Sequence, residues 1–319
     1  MLARTADNLY WLARYIERAE FIARIVEATL RLEALPRTYG GAANEWESTL
    51  AAAGVLDSFN ELYPALTEAN ALEFLIFDEK NPASIRGCIE AARQNARAVR
   101  TALTLETWEA INAGWLELKR FESIHERNGG FDRDELASFL SFAKKISLDV
   151  DGSAYRTMLR NDVYWFSRLG LYVERADNTA RILDVKYHVL LPETESIGGS
   201  LDYFQWTAIL RAVSALTAYH WVYRTSVKPW HIADLLILKS EMPRSLISCY
   251  ENIVRYQDSL ARVYGRQGAS QRRAREVLTR LENLTIEQIL SGGLHEFITT
   301  FLKDNNQLGS DIAEQYLLP

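Results

Sequence analysis

The sequence predicts an all-α protein: a helical bundle made of two duplicated halves of about 160 residues, with approximate internal two-fold symmetry. Three observations predict it. Only seven prolines interrupt 319 residues. Apolar residues recur at spacings of three and four over long stretches, and no credible strand pair is visible. Three blocks of the first half also return, in order, in the second.

The expected helices cover 5–34, 44–62, 68–77, 83–102, 105–121, 132–147, 154–190, 202–223, 229–238, 244–264, 269–282 and 293–316. Thr104 before LETWE and Asp132 before RDELASFL read as N-caps, and Pro243 suits a first helical turn. Breaks are expected at 36–42, 128–131, 192–200 and 265–269, where Pro and Gly gather.

The repeat is visible residue by residue. LARYIERAEFIARIVE (12–27) aligns without gaps to LGLYVERADNTARILD (169–184), and 8 of 16 positions are identical. Pro36 and Pro192 follow. Trp46, Leu50, Ala52, Leu56 and Tyr63 return as Trp206, Leu210, Ala212, Leu216 and Tyr223. FLIFDEKNPASIRGCIE (74–90) then parallels LLILKSEMPRSLISCYE (235–251). The offsets of 157, 160 and 161 imply repeats over 1–153 and 154–319. That period is far longer than the roughly 20–50 residues of a solenoid unit. Cys88 and Cys249 fall at equivalent places, which favours small buried side chains over reactive thiols.

Composition narrows the function classes. With 48% hydrophobic and 24% charged residues, a wholly disordered chain is excluded. A net charge of −6 argues against a nucleic-acid partner. Two distant cysteines exclude a disulfide scaffold and offer no zinc spacing. Arg4, Asp7 and Arg14 interrupt any signal-like apolar run, and no stretch approaches the ~18 apolar residues of a membrane span. The expectation is a cytoplasmic protein with no membrane association.

Each half opens on a long helix carrying Glu-Arg: Glu17-Arg18 and Glu174-Arg175. At 100° per residue, Trp11, Leu12, Tyr15, Ile16, Ala19, Ile22, Ala23, Val26 and Leu30 form a wide apolar arc. Opposite lies a stripe of Glu17, Glu20, Arg24, Glu27 and Arg31, repeated as Glu174, Asp177, Arg181, Asp184 and His188. The stripe reads either as a solvated face laced with ion pairs or as a charged groove where the halves meet. Arg18 and Arg175 sit at the apolar edge. A guanidinium cannot shed its proton, so burial demands an acceptor. That acceptor is either an internal carboxylate, with Asp78, Glu90 and Glu251 as candidates, or an anion on a ligand or partner.

These blocks resemble the bacterial alpha-E family, a helical domain of unknown function with a conserved Glu-Arg motif. The resemblance runs through the whole chain, 1–319. It rests on ADNLYWLARYIERAE (6–20), FDEKNPASIR with EAARQNAR (77–97), RNDVYWFSRLGLYVERADNTARILD (160–184) and MPRSLISC (242–249). It implies company with ATP-grasp ligase-like proteins, transglutaminase-like cysteine peptidases and a proteasome-like peptidase, hence a role in peptide ligation or modification. Motif positions carried over are Glu17, Arg18, Glu174 and Arg175, then Asp78, Asn81 and Pro82. Lys239 stands where the first half has Asp78, and Met242 where it has Asn81, which puts any chemistry of that segment in the second half in doubt.

Other signatures are weak. The Gly-Gly pairs lack phosphate-loop context. Glu122-x-x-His125 lacks the second copy a di-iron site requires. Asp149-x-Asp151-Gly152 reads as a turn before a helix starting near Ser153 rather than a calcium loop. His220 and His231 read as ordinary imidazoles. Arg272, Arg273, Arg275 and Arg280 read as a solvated or partner-facing surface. No cofactor and no metal are expected.

The leading expectation is an accessory protein that engages a peptide carboxylate, another anion or a partner through Glu17, Arg18, Arg24, Glu174, Arg175 and Arg181. One alternative is an enzyme using Glu17 and Glu174 as acid/base groups, with Arg18 and Arg175 holding an anionic substrate. The other is a helical assembly protein without a ligand, with homo-oligomerisation open.

Overall fold

A computed structural model describes residues 1–34, 45–189 and 200–317, and the side chains of all these except 185–189 and 200–204. Every regular element among them is helical. The first half contains α1 (Ala3–Glu33), α2 (Glu45–Ala52), α3 (Leu56–Leu62), α4 (Glu68–Ile76), α5 (Ile85–Ala98), α6 (Leu105–Asn128) and α7 (Arg133–Thr157). The second contains α8 (Asp162–Val189), α9 (Ser200–Ala212), α10 (Leu216–Tyr223), α11 (Pro229–Ile237), α12 (Leu246–Tyr264), α13 (Ala269–Asn283), α14 (Ile286–Gly292) and α15 (Leu294–Tyr316). The expected breaks at Pro36 and Pro192 lie outside the described residues.

Local chemistry sets most boundaries. Thr104 caps α6, and Asp132 opens α7 with a capping box closed by Glu135. Ser84 and Ser245, 161 positions apart, each cap their helix by accepting from the backbone N–H three residues on, both at 3.1 Å. Pro243 lies before that cap, in the turn; Pro229 is the proline in a first helical turn. The expected helices over 44–62 and 202–223 are each broken in two. Gly54 and Ser214 take left-handed backbone there, with φ of 72° and 56°.

The junction between the halves also differs from expectation. Residues 149–152 form no turn. Helix α7 runs through them to Thr157, because nothing in Asp149 to Gly152 forces a break. Asp149 pairs with Lys145 and Asp151 with Arg168. The chain turns instead at Met158–Asn161. Helix α6 likewise continues past 121 to Asn128, where Gly129 closes it in the left-handed region.

The two longest helices, α1 and α8, pack against each other at the centre. Helix α1 also meets α5, α7 and α9, and α8 meets α12, α15 and α2. Leu12, Ile16, Ala19, Ile22 and Val26 enter a core built from α2 to α7. Leu9, Tyr10, Phe21 and Ile25, on another side of the same helix, enter a larger core built mainly from α8 to α15. A helix buried on nearly every side explains why its apolar arc looked so wide.

Close approach of α1 and α8 depends on Gly170. A Cβ there would sit 2.1 Å from the backbone oxygen of Tyr10. Gly170→Ala must therefore push the helices apart. A loss of about 1–3 kcal/mol or more is expected from overpacking, measurable as a lower urea midpoint with helicity retained by circular dichroism.

Candidate functional site

The Glu-Arg dipeptides of α1 and α8 meet at this crossing and exchange partners. Arg18 donates Nε to Glu174 Oε1 at 2.5 Å and Nη2 to Oε2 at 3.0 Å. Arg175 donates Nε to Glu17 Oε1 at 3.0 Å and Nη2 to Oε2 at 2.8 Å. Each guanidinium thus grips the opposite carboxylate with two parallel bonds, a geometry lysine cannot reproduce. Glu17 and Glu174 are only 1% and 2% exposed. The internal-carboxylate reading holds, but the partners are the other helix's motif glutamates. Asp78 accepts from Tyr63, Glu90 lies beside Arg86, and Glu251 is exposed.

Each central carboxylate takes one further arginine, from non-equivalent places. Arg14 donates to Glu174 at 2.7 Å, whereas Leu171 stands 157 positions later. Arg244, just before α12, donates to Glu17 at 2.7 Å and to Glu20 at 2.8 Å. The residue 161 positions earlier is Ala83. Glu20 also accepts from Arg24 at 2.7 Å and Ser147 at 2.7 Å. Arg24 continues to Ser214 Oγ at 2.8 Å. On the other side, Arg181 donates to Asp177 at 2.6 Å and lies against Gly54. Asp177 Oδ1 has no hydrogen-bond partner.

The solvated reading of the stripe is therefore corrected for its central part: Glu17, Glu20, Glu174 and Asp177 are buried where the two helices meet. Among the described side chains of the stripe, only Arg31 at the end of α1 is largely open, paired to Glu27 at 2.9 Å. Side chains of the stripe beyond Asp184, including His188, lie outside the description.

Electrostatics fixes the charge states. Burial alone would raise the Glu17 carboxyl, but the guanidiniums of Arg175 and Arg244 outweigh it and hold it at about 2. Glu174 is likewise lowered against burial by Arg18 and Arg14. A carboxylate held this far below neutrality and saturated with donors is a structural anion; it is poorly placed to carry protons. The thiols of Cys88 and Cys249 are fully buried, which pushes each up to about 12.

Asp78, Asn81 and Pro82 form the turn from α4 to α5, and no hydrogen bond joins them to the Glu-Arg cluster among the described residues. Asp78 accepts from Tyr63 at 2.7 Å and from the Lys80 N–H at 2.8 Å. Buried Asn81 donates to the Phe74 carbonyl at 2.8 Å, and Pro82 is exposed. The second half keeps the turn with different side chains. Tyr223 donates there to Asp234, which Lys239 also meets at 3.1 Å, and Met242 is buried. The departures at 239 and 242 thus leave a structural role intact.

The weaker signatures resolve as ordinary contacts. Glu122 pairs with Arg86 at 2.6 Å and His125 with Glu73 at 3.1 Å. No cluster of three or more His, Cys, Asp or Glu able to hold a metal occurs among the described residues. His231 stacks on Tyr223. Three of the four arginines on α13 are paired: Arg273 with Asp311, Arg275 with Asp258 and Arg280 with Asp304. No helix among the described residues is long and apolar enough to cross a membrane.

Fold and site together define an all-α protein whose two central helices are locked by exchanged Glu-Arg pairs. The chain belongs to the Alpha-E family, described as a predicted alpha-helical domain with a conserved ER motif, whose model matches residues 1–317. Comparison with curated proteins and with solved structures returns no match.

Glu17→Gln removes the charge that balances two buried arginines, so a loss of about 3–5 kcal/mol is expected in urea unfolding. The pH dependence has a definite sign. Because folding depresses the Glu17 carboxyl, its stabilisation is fully present above the ordinary value of 4.5 and disappears as pH falls toward about 2. Urea midpoints measured across that window should fall steeply in the natural protein and more shallowly in Glu17→Gln.

Proposed function

We propose that this chain is a non-catalytic accessory protein of a bacterial, cytoplasmic peptide-ligation or peptide-modification system. It works beside an ATP-grasp ligase-like protein and a transglutaminase-like peptidase. The partner classes come from the family resemblance. The observation that carries the non-catalytic reading is the exchanged pairing, because both motif carboxylates are spent as acceptors. This disfavours the alternative in which Glu17 and Glu174 serve as acid/base groups. Two cysteines buried in separate helices suit a reducing compartment.

In this reading a tandem duplication produced the two halves, and the Glu-Arg helices became the clamp between them. The clamp holds the outer helices at a fixed angle and so presents a rigid surface to the partner. Arg18 keeps 26% of its side chain exposed while bound to Glu174. A peptide or partner carboxylate can therefore add to it as a further acceptor, whereas Arg175 is more enclosed.

The test is affinity capture of the cognate ATP-grasp and transglutaminase-like proteins by the natural chain and by Arg18→Lys, which keeps the charge and loses the fork. With circular dichroism confirming the fold, capture by the natural chain and a several-fold loss in the variant are expected. Failure of the folded natural chain to capture either protein would refute the partner assignment. Equal capture by both chains would remove Arg18 from the contact.

A further inference from the structure

Two surface features outside the Glu-Arg cluster differ sharply between the halves. The first is a groove of about 580 Å³ between α4, the end of α6 and the start of α7. Leu72, Ile76, Phe77 and Phe131 form its apolar lining, and Glu68 and Glu73 add carboxylates, the first 3.5 Å from Arg133 and the second 3.1 Å from His125. Gly129 and Gly130 pass beside it with open space where their Cβ atoms would be. The second half is arranged differently at the face of α11. There α14 packs on α11, and Ala233, 161 positions after Leu72, is fully buried.

The second feature is a protrusion of the opposite character. On α10 and α11, Trp221 is 74% exposed, Val222 49% and Trp230 43%. Arg224 and Lys228 lie in the link between these helices, and Lys228 sits over the Trp230 ring at 5.3 Å. The equivalent first-half residues are Glu61, Leu62, Ala69, Pro64 and Thr67, so the cationic and aromatic character belongs to the second half alone. The link is pre-formed: Tyr219 OH donates to the Ser226 carbonyl at 2.8 Å and accepts from the Lys228 N–H at 2.9 Å. Two exposed indoles beside cations on a fixed link have the make-up of an interface anchor.

We propose that these surfaces are the two sides of one interface between copies of this chain, the Trp221/Trp230 protrusion of one molecule entering the acidic groove of the next. The groove is large enough for an indole and its lining is apolar and aromatic; Glu68 and Glu73, each with over two-fifths of its side chain exposed beside Arg133 and His125, keep open acceptor faces for Arg224 and Lys228. Because the mating patches differ, the contact is heterologous and propagates into a chain or a ring.

Sedimentation velocity on the full chain tests this through complementation. Trp221→Ala with Trp230→Ala removes the protrusion; Glu68→Lys with Glu73→Lys reverses the groove's charge. All four positions are at least partly exposed, and circular dichroism checks the fold. The natural chain should self-associate as concentration rises, less at high salt. Each variant alone should stay monomeric. An equimolar mixture should form a 1:1 pair that grows no further, since each variant keeps the surface the other lacks. A natural chain monomeric at high micromolar concentration would overturn the proposal, as would variants that assemble like it or a mixture that forms no pair. Tryptophan-dependent binding of the monomer to anionic vesicles would reassign the protrusion to a membrane surface.

Discussion

The structure depends on a pair of guanidinium–carboxylate contacts that cross between α1 and α8. Taking four charges out of water is costly, and their attraction repays that cost only when geometry and hydrogen bonding are nearly complete. The bidentate grip of Arg18 on Glu174 and of Arg175 on Glu17 supplies the geometry. Arg14 and Arg244 occupy further acceptor positions. Such pairs discriminate against other arrangements more than they add net stability. Sliding one helix along the other by a turn would strand buried charges, so the crossing has one acceptable register.

That register governs how far the outer helices stand from one another. Side chains of α1 enter both hydrophobic cores, and Gly170 permits the close backbone contact from the α8 side. The cores supply the bulk of the apolar burial, while the polar crossing fixes how they are joined. Beyond the crossing the halves diverge. Arg244 serves Glu17 and Glu20 of α1, while one oxygen of Asp177 on α8 has no hydrogen-bond partner. α14 closes one face, while its counterpart remains a groove. The crossing joins the two sets of helices, and the differences between them lie away from it.

Much of this was legible along the chain. Capping residues and spacing located Asp132, Thr104 and the long central helices, and Arg18 was conspicuous as a permanent cation beside apolar neighbours. Arg14 was visible one turn before Arg18, although only the fold shows which acid it serves. Arg244 and Ser147 were missed, since nothing local connects them to residues more than a hundred positions away. The breaks at Gly54 and Ser214 were also missed. Gly is tolerated inside helical patterns, and Ser carries no strong signal for left-handed backbone. Asp149–Gly152 carries turn-forming residues yet lies within continuous helix, because such residues are only a statistical guide when tertiary packing favours the helix.

The sequence by itself determined the helical class, the repeated Glu-Arg helices and the need for an anion beside Arg18 and Arg175, since periodicity and charge permanence are local properties. Tertiary structure alone decided which anion that is. Asp78, Glu90 and Glu251 lost to Glu174 for Arg18 and to Glu17 for Arg175, because crossing two long helices puts the far motif within hydrogen-bond reach and seals it from water.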